Sequence, residues 1–166
     1  MGSTDLEKLM RIPDPLLTFR WVAQSLPFGM KTEYMESIDI PFNNISISEG
    51  VHIGSRFEYY PGTHSISSFS ASFYEDRLGT TLKWIQEWKS RVKNLETGAY
   101  KLPSEYKRVI EVVQLDNKGK PVITARISGA WPADTSPMTL NYSDGTSRIV
   151  HQQTFSADDV TFKFHL

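Results

Sequence analysis

Cysteine is absent from the 166-residue sequence. This absence excludes disulfide scaffolds, cysteine-based zinc sites, iron–sulfur ligation and thiol nucleophiles together, and it leaves the redox compartment undecided. The sequence also has no apolar run approaching the roughly 18 residues that a membrane-spanning helix requires. Its N-terminus has no basic start followed by an apolar stretch. We therefore expect no cleaved secretion signal and no membrane partner.

Motifs that carry catalytic chemistry are missing as well. The four histidines are scattered, with no pair at the i, i+4 spacing of a helix and no carboxylate in a metal-ligand pattern. Asp158 and Asp159 are neighbours whose side chains would point to opposite faces of a strand, which is poor geometry for acid–base catalysis. No phosphate-binding glycine loop or nucleophile elbow is present. The sequence predicts a protein that is not an enzyme, with no catalytic residue, cofactor or metal site.

Charge is nearly balanced overall but unevenly distributed. The net charge of −1 argues against a free-standing nucleic-acid binder, which normally carries a strong basic excess. Lys and Arg number 5 against 8 Asp and Glu over 1–60, 10 against 7 over 61–120, and 3 against 4 over 121–166. The basic middle third is either a solvated helix face or one of two surfaces that meet different neighbours.

The residues that are present are typical of one folded domain. With 39% hydrophobic and 22% charged residues, the composition is ordinary for a globular protein. A chain of this length buries about 70% of its unfolded surface in a single core. The prolines of Ile12-Pro13-Asp14-Pro15 end any helical turn that precedes them. We therefore divide the chain into an N-terminal arm over 1–15 and one domain over 16–166.

Alternation of apolar and polar residues predicts about seven or eight antiparallel strands. The candidate strands cover 17–24, 34–40, 66–73, 109–115, 122–127, 138–142, 147–155 and 160–164. Turn signals lie at Pro61-Gly62, Asp116–Gly119 and Asp144-Gly145, and Trp131-Pro132 is expected to end the strand over 122–127. Strands joined by short turns favour a mainly β fold, a sandwich or barrel in which one flanking helix covers an opening or edge.

One long helix is predicted over 77–93. Five apolar residues follow one another at steps of four, three, three and four and form a single stripe: Leu78, Leu82, Ile85, Trp88 and Val92. Asp76 is the expected N-cap. Trp84 and Trp88 lie one helical turn apart and are expected to dock the helix on the sheet.

Several short segments, taken in order, resemble the tail tube protein family of long-tailed, especially contractile-tailed, bacteriophages. The segments are Ser25-Leu26-Pro27, the strand Ser65–Tyr74 leading through Glu75-Asp76 into a helix that ends at Trp88, Pro103–Lys107, Gly129–Pro132, Leu140–Tyr142 and Thr154–Asp158. The resemblance spans about Leu17 to Val160 and rests on the order of the segments. The final strand runs on through Phe162 and Phe164, and the N-terminal arm is short. Both features depart from the family pattern and leave open whether the chain is a main tube subunit or a terminal relative.

The resemblance implies a structural virion protein that self-assembles into stacked, hexameric rings, which form a hollow tail tube for the genome. The implied partners are further copies of the chain, the tail sheath, tape measure and baseplate proteins, and genomic DNA held in the lumen without sequence-specific binding. The implied location is the virion tail, after assembly in the host cytoplasm. The alternatives are a baseplate-proximal tube initiator, a type VI secretion ring protein or, from another class, a monomeric small-molecule-binding β-barrel.

Stacking requires an interface that does not close on itself, so the chain must expose apolar surface. The segment 42–60 has the alternation of an extended β-hairpin or a long loop, and it supplies the candidate inter-ring residues Phe42, Ile45, Ile47, Val51 and Ile53. The other interpretation is a hairpin that packs on its own domain.

A lumen lined with cations would hold DNA through its phosphates. We therefore expect Ser, Thr, Asn, Gln and acidic side chains to line the lumen, and the basic helix to face outward toward a sheath or solvent. The candidate outward-facing residues are Lys83, Lys89, Arg91 and Lys93.

Overall fold

Two antiparallel β-sheets that share one long strand form the framework of the protein. The computed structural model describes residues 15–48 and 50–165, so the predicted arm over 1–15 lies outside the described residues except for Pro15. The strands are β1 (Trp21–Ser25), β2 (Met35–Ile38), β3 (Asn43–Ile47), β4 (Val51–Ile53), β5 (Arg56–Glu58), β6 (Pro61–Ile66), β7 (Phe69–Tyr74), β8 (Arg108–Leu115), β9 (Pro121–Thr135), β10 (Val150–Ser156) and β11 (Asp159–Phe164). The helices are α1 (Thr80–Val92) and α2 (Pro103–Tyr106).

The strand order is β1-β8-β9-β10-β7-β2, with β11 also pairing with β9. We call β1, β8, β11 and the first part of β9 sheet A, and β2, β7, β10 and the last part of β9 sheet B. The remaining four strands form the pairs β3–β6 and β4–β5. The predicted mainly β class with one main helix is confirmed. In the described part of the chain the strands do not close into a barrel, because β1 and β2 remain at the two ends of the order.

Strand β9 joins the two sheets by exchanging partners partway along its length. Its first part pairs with β8 and β11, and Trp131 onward pairs with β10. Pro132 therefore lies where β9 has only one neighbour and needs no second ladder hydrogen bond, the position in a sheet that tolerates proline. The prediction that Trp131-Pro132 ends this strand is wrong for that reason.

The core lies between the sheets and is closed by α1. The ring of Phe73 is 5.2 Å from that of Trp84, and the ring of Phe155 is 5.5 Å from that of Trp88. Both indole N–H groups are satisfied by backbone carbonyls, that of Trp84 by Pro27 at 2.9 Å and that of Trp88 by Tyr106 at 2.7 Å. The predicted docking of the helix through its two tryptophans is confirmed.

The helix begins later than its predicted range of 77–93, and it buries Ile85 and Trp88 of the predicted stripe, with Leu82 and Val92 half-buried. Leu78 lies before the first turn and is 82% exposed. The buried residues of α1 are Thr81, Trp84, Ile85 and Trp88. Leu78 falls outside the helix because Gly79, with φ of 72°, turns the chain just before Thr80.

Two further local predictions are wrong. Pro61-Gly62 is not a turn but the start of β6, where the missing Cβ of Gly62 lets Ser46 of β3 approach closely. The segment 138–142 is not a strand. There Asn141 Oδ1 accepts a hydrogen bond from the backbone N–H of Ser143 at 3.0 Å, and such local side-chain bonds compete with strand pairing.

Candidate assembly surfaces

A long β-hairpin extends over 43–66 and contains most of the candidate inter-ring residues. Its arm is the antiparallel pair β3–β6, in which Ile45 lies opposite His64. Its tip is the pair β4–β5, closed by a two-residue loop at Gly54-Ser55, and Ile53 lies opposite Arg56. Gly54 has φ of 64°, which suits such a loop. Of the two interpretations of 42–60, the strand pairs correspond to the hairpin, which extends further than predicted, to Ile66. The use of this hairpin between rings stays a proposal.

The hairpin exposes its apolar side chains to solvent. Ile45, Ile47, Val51 and Ile53 are between 51% and 75% exposed, and all of β3 and β4 is exposed. They take no part in the hydrophobic core. Strands in a monomeric domain normally bury one face, and a group of exposed apolar side chains on one hairpin is typical of an interaction surface. The described part of the chain therefore leaves these four side chains without an apolar partner in the core.

Phe42 differs from the other four candidates because it contacts its own domain. Its ring stacks on Phe162 of β11 at 5.4 Å. Next to it, the Nδ2 of Asn43 donates a hydrogen bond to the carbonyl of Val160 at 2.7 Å. These two contacts anchor the base of the hairpin to sheet A, so Phe42 fixes the direction of the hairpin as well as presenting a 63% exposed ring.

An aromatic cluster at the tip was missed by the sequence reasoning. The ring of Phe57 lies 4.6 Å from His52 and 4.9 Å from Tyr59. A Cβ at Gly50 would collide with the Phe57 ring, so this glycine allows the close approach. The sequence signal for this tip was the pair Gly54-Ser55, which separates two short segments that can form strands. We instead assigned the turn to Pro61-Gly62, whose composition is more typical of a turn.

The four basic candidates on and next to α1 have unequal surroundings. Lys83 is exposed, while the guanidinium of Arg91 lies 4.5 Å from the ring centroid of Phe28 and the ammonium of Lys93 lies 4.6 Å from that of Tyr100. Lys89 is half-buried and donates a hydrogen bond to Thr135 Oγ1 in β9. Burial lowers the pKa of its ammonium, and the nearby charge of Asp134 opposes that shift. Lys89 therefore ties the helix to β9 instead of facing solvent freely.

Two carboxylates from the Glu75-Asp76 pair cap the N-terminus of α1. Asp76 accepts hydrogen bonds from the backbone N–H and the hydroxyl of Thr80 at 3.0 and 2.6 Å, and from the Tyr34 hydroxyl at 2.9 Å. Glu75 accepts hydrogen bonds from the backbone N–H groups of Thr81 and Leu82, both at 3.0 Å. It also contacts His151 Nε2 at 2.7 Å. The free N–H groups of the first turn are thereby satisfied. The N-cap position is held by Gly79 and not by Asp76 as predicted, but the Asp76 carboxylate caps the helix from outside together with Glu75.

Asp76 is expected to make stability depend on pH. The hydrogen bonds from Thr80, with smaller contributions from Tyr34 and Leu78, lower the pKa of Asp76 to about 2. A carboxyl whose pKa is lower in the folded state stabilises the fold above its unfolded pKa of 3.8 and loses that effect as the pH falls through about 2. Near neutral pH, the wild-type protein should unfold at a higher urea midpoint than the Asp76→Asn variant. The difference between the two midpoints should become smaller below about pH 4. Glu87→Gln, an exposed change on the same helix, is the control, and a gap that stays constant down to pH 2 would contradict the assignment.

The outward faces of the two sheets differ in chemistry. In sheet B, β2, β7 and β10 contain neither Lys nor Arg. Facing away from their buried neighbours are uncharged polar side chains, which we call the hydroxyl face: Ser37, Ser70, Ser72, Gln152 and Thr154. The exposed side chains of Tyr74 and Val150 lie opposite each other at one end of this face. In sheet A, the corresponding side chains include ions, and we call them the charged face: Glu111, Arg126, Thr161 and Lys163.

Neither a metal-holding cluster nor a membrane-spanning helix is found among the described residues. Residues 15–48 and 50–165 contain no group of three or more His, Cys, Asp or Glu side chains placed to hold a metal ion. Neither described helix has the length and apolar character needed to cross a membrane. Two hollows of about 420 and 390 Å³ on the described surface are open grooves rather than enclosed cavities.

Comparison with solved structures identifies the fold. No protein-family model matches the sequence, and no curated protein is similar to it in sequence. The anti-feeding prophage cap, a tube terminating cap, is similar over 93% of this chain and 94% of its own, at a TM-score of 0.69 and 16% identity. The sheath/tube terminator of the extracellular contractile injection system PVC is similar over 92% of this chain and 99% of its own, at a TM-score of 0.68 and 14% identity. The SPP1 tail tube protein is similar over 92% of this chain and 81% of its own, at a TM-score of 0.52 and 10% identity. The chain therefore has the tail tube fold that the sequence resemblance implies.

Proposed function

We propose that this chain is a structural, non-enzymatic subunit that self-assembles into stacked rings and forms a tail tube. The observation that carries the proposal is the apolar hairpin left exposed on a tail tube fold. Such a hairpin gives a subunit an apolar contact outside its own core, which an end-to-end assembly needs. A ring of six, the number that the resemblance implies, leaves a central hole through which the genome passes during ejection.

The proposal includes the partners of the tube. The outer surface of the stack contacts a sheath, and its ends contact baseplate proteins. The tape measure protein and genomic DNA occupy the lumen, where DNA is held without sequence-specific binding. These contacts place the chain in the virion tail after assembly in the host cytoplasm, and the likeness to a sheath/tube terminator supports the sheath contact.

Assembly state separates this proposal from a monomeric small-molecule-binding barrel. At high protein concentration, light scattering after size exclusion should give a mass that is a multiple of the 18.9 kDa subunit, and negative-stain images should show tubes with a central stain-filled channel. Because the apolar contact is driven by burial, tube length should increase with protomer concentration. A homogeneous monomer at every concentration, with isolated globules in the images, would refute the proposal.

A second candidate function is a subunit that terminates the tube. It is favoured by the likeness to two terminator proteins over nearly the full chain. A terminator would form single rings that stop growing, because one of its two ring faces would not accept another ring. The same images distinguish the two candidates, since a main tube subunit gives tubes of varied length and a terminator gives single rings.

A further inference from the structure

We infer that the hydroxyl face of sheet B lines the channel and that the charged face of sheet A is the outer surface of the tube. This assignment rests on the proposed function and adds to it the orientation of the subunit in the ring. The two sheets pack on one core, so their outward faces point in opposite directions. If one of them faces the axis of a ring, the other faces away from it.

The hydroxyl face is continuous across three strands. Ser72 of β7 lies directly opposite Gln152 of β10 on one side and Ser37 of β2 on the other. In the next row, Ser70 lies opposite Thr154, and its hydroxyl donates a hydrogen bond to Asp39 at 3.0 Å. In β7 and β10 these side chains alternate with core residues of the same strand, so they share one face. Ser37 lies on that face because it pairs with Ser72, after the irregularity between Met35 and Ser37.

The ions that border this face are anions or are paired. Asp39 is negative, and at the other end Glu36 of β2 forms an ion pair with Arg148. Every Lys or Arg that contacts a phosphate adds affinity that depends on salt. A ring of subunits multiplies each such contact by the number of subunits. A wall of hydroxyl and amide groups avoids that retention, because these groups exchange their hydrogen bonds with water.

The charged face has the opposite character. Arg126 NH1 lies 3.3 Å from Glu111 Oε1, and the ammonium-bearing Lys163 belongs to the neighbouring strand β11. A groove of about 420 Å³ crosses this face and is lined by Gln24, Glu111, Arg126, Thr161, Lys163 and His165, with Thr124 beside them. Turned toward the axis, this face would place Arg126 and Lys163 of every subunit against a passing polyanion. Turned outward, it offers paired and unpaired charges to a protein layer around the tube.

Because the chain lacks cysteine, single cysteine substitutions can report which face is enclosed. Gln152→Cys and Thr161→Cys are a matched pair, since both residues are exposed in the middle of a strand on an outward face. Assembled tubes of each variant are treated with N-ethylmaleimide and, separately, with maleimide-coated gold particles wider than the tube. We expect the small reagent to modify both variants and the gold to decorate only Thr161→Cys tubes along their length.

The outcomes separate failure of this inference from failure of the proposed function. Gold along the length of Gln152→Cys tubes, or tubes of Thr161→Cys that bind none, would overturn the orientation while leaving the tube intact. Failure of the wild type to form any ring or tube would refute the proposed function instead. If Gln152→Cys does not assemble, Ser37→Cys on β2 replaces it, because Ser37 is also exposed and lies on the same face.

Discussion

Combining Ile47→Asp with Ile53→Asp is expected to remove tubes and leave single rings or free subunits. The two side chains are 75% and 53% exposed in the subunit, and changes at such positions usually alter folding by no more than about 0.5 kcal/mol. In a stacked tube both side chains would be buried, and full burial of one isoleucine is worth roughly 1.5–3 kcal/mol. A buried, unpaired carboxylate adds a desolvation cost. Both losses recur at every subunit of the ring, so the stacking contact cannot survive.

Tube length in negative-stain images, taken at equal protomer concentration, measures this effect, and urea midpoints confirm that the subunit remains folded. Leu78→Asp is a matched control, because Leu78 is 82% exposed and lies outside the hairpin. Long tubes from the double variant at wild-type stability would exclude the hairpin from the stacking contact. Substitution is a cleaner test than removal of 42–55, since that removal takes β3 from β6 and separates the Phe42 anchor from Phe162.

The parts of the fold with strong periodicity were predictable from the sequence. Phe69, Ala71 and Phe73 are buried as the alternation of β7 indicates, and Asp116–Gly119 joins β8 to β9 as the turn residues predict. Both features depend on residues close together in the sequence. The helix was predictable for the same reason, although its first residue was displaced by the turn at Gly79.

The predictions that were wrong concern segments whose conformation depends on the strand that pairs with them. Pro61-Gly62 has the composition of a turn, but pairing with β3 extends it into a strand. A proline such as Pro132 normally ends a strand, but the exchange of neighbours along β9 leaves this position with no need for a backbone N–H donor. Local propensity cannot include these partners, because they come from distant parts of the chain.

The candidate surfaces show a second limit of sequence reasoning. The alternation of Ile45 and Ile47 in β3 resembles that of Phe69 and Ala71 in β7, yet the first pair is exposed and the second is buried. Alternation predicts that one face of a strand is apolar and does not identify what covers it. The orientation of the two sheets in a ring could be inferred only from the strand register. That register places five polar side chains on one face: Ser37, Ser70, Ser72, Gln152 and Thr154.

Trp88 holds the helix to Phe155 of sheet B and to the turn after β1. Trp88→Ala is therefore expected to lower the free energy of unfolding by about 3–5 kcal/mol, the usual cost of emptying a buried tryptophan site. The side chain is 1% exposed, and the rings of Trp84, Phe155 and Phe28 lie 5.4 to 5.7 Å away. The Phe28 ring approaches Trp88 edge-on from the turn after β1, where Phe28 has φ of 57°. Domains are stable by only about 5–15 kcal/mol, so this variant should unfold at much lower urea.

Urea unfolding at low, fixed protomer concentration measures the effect, because self-association would raise the apparent stability by mass action. Trp88→Phe should lower the free energy of unfolding much less, because phenylalanine keeps an aromatic ring in the site. Its loss is confined to the hydrogen bond to the Tyr106 carbonyl, worth about 1 kcal/mol, plus the cost of leaving that carbonyl unpaired. Trp131→Ala is the second control, because Trp131 is only half-buried and faces the single ring of Tyr106 at 6.2 Å. Equal losses for Trp88→Ala and Trp131→Ala would contradict the assignment of Trp88 as a main contact between α1 and the core.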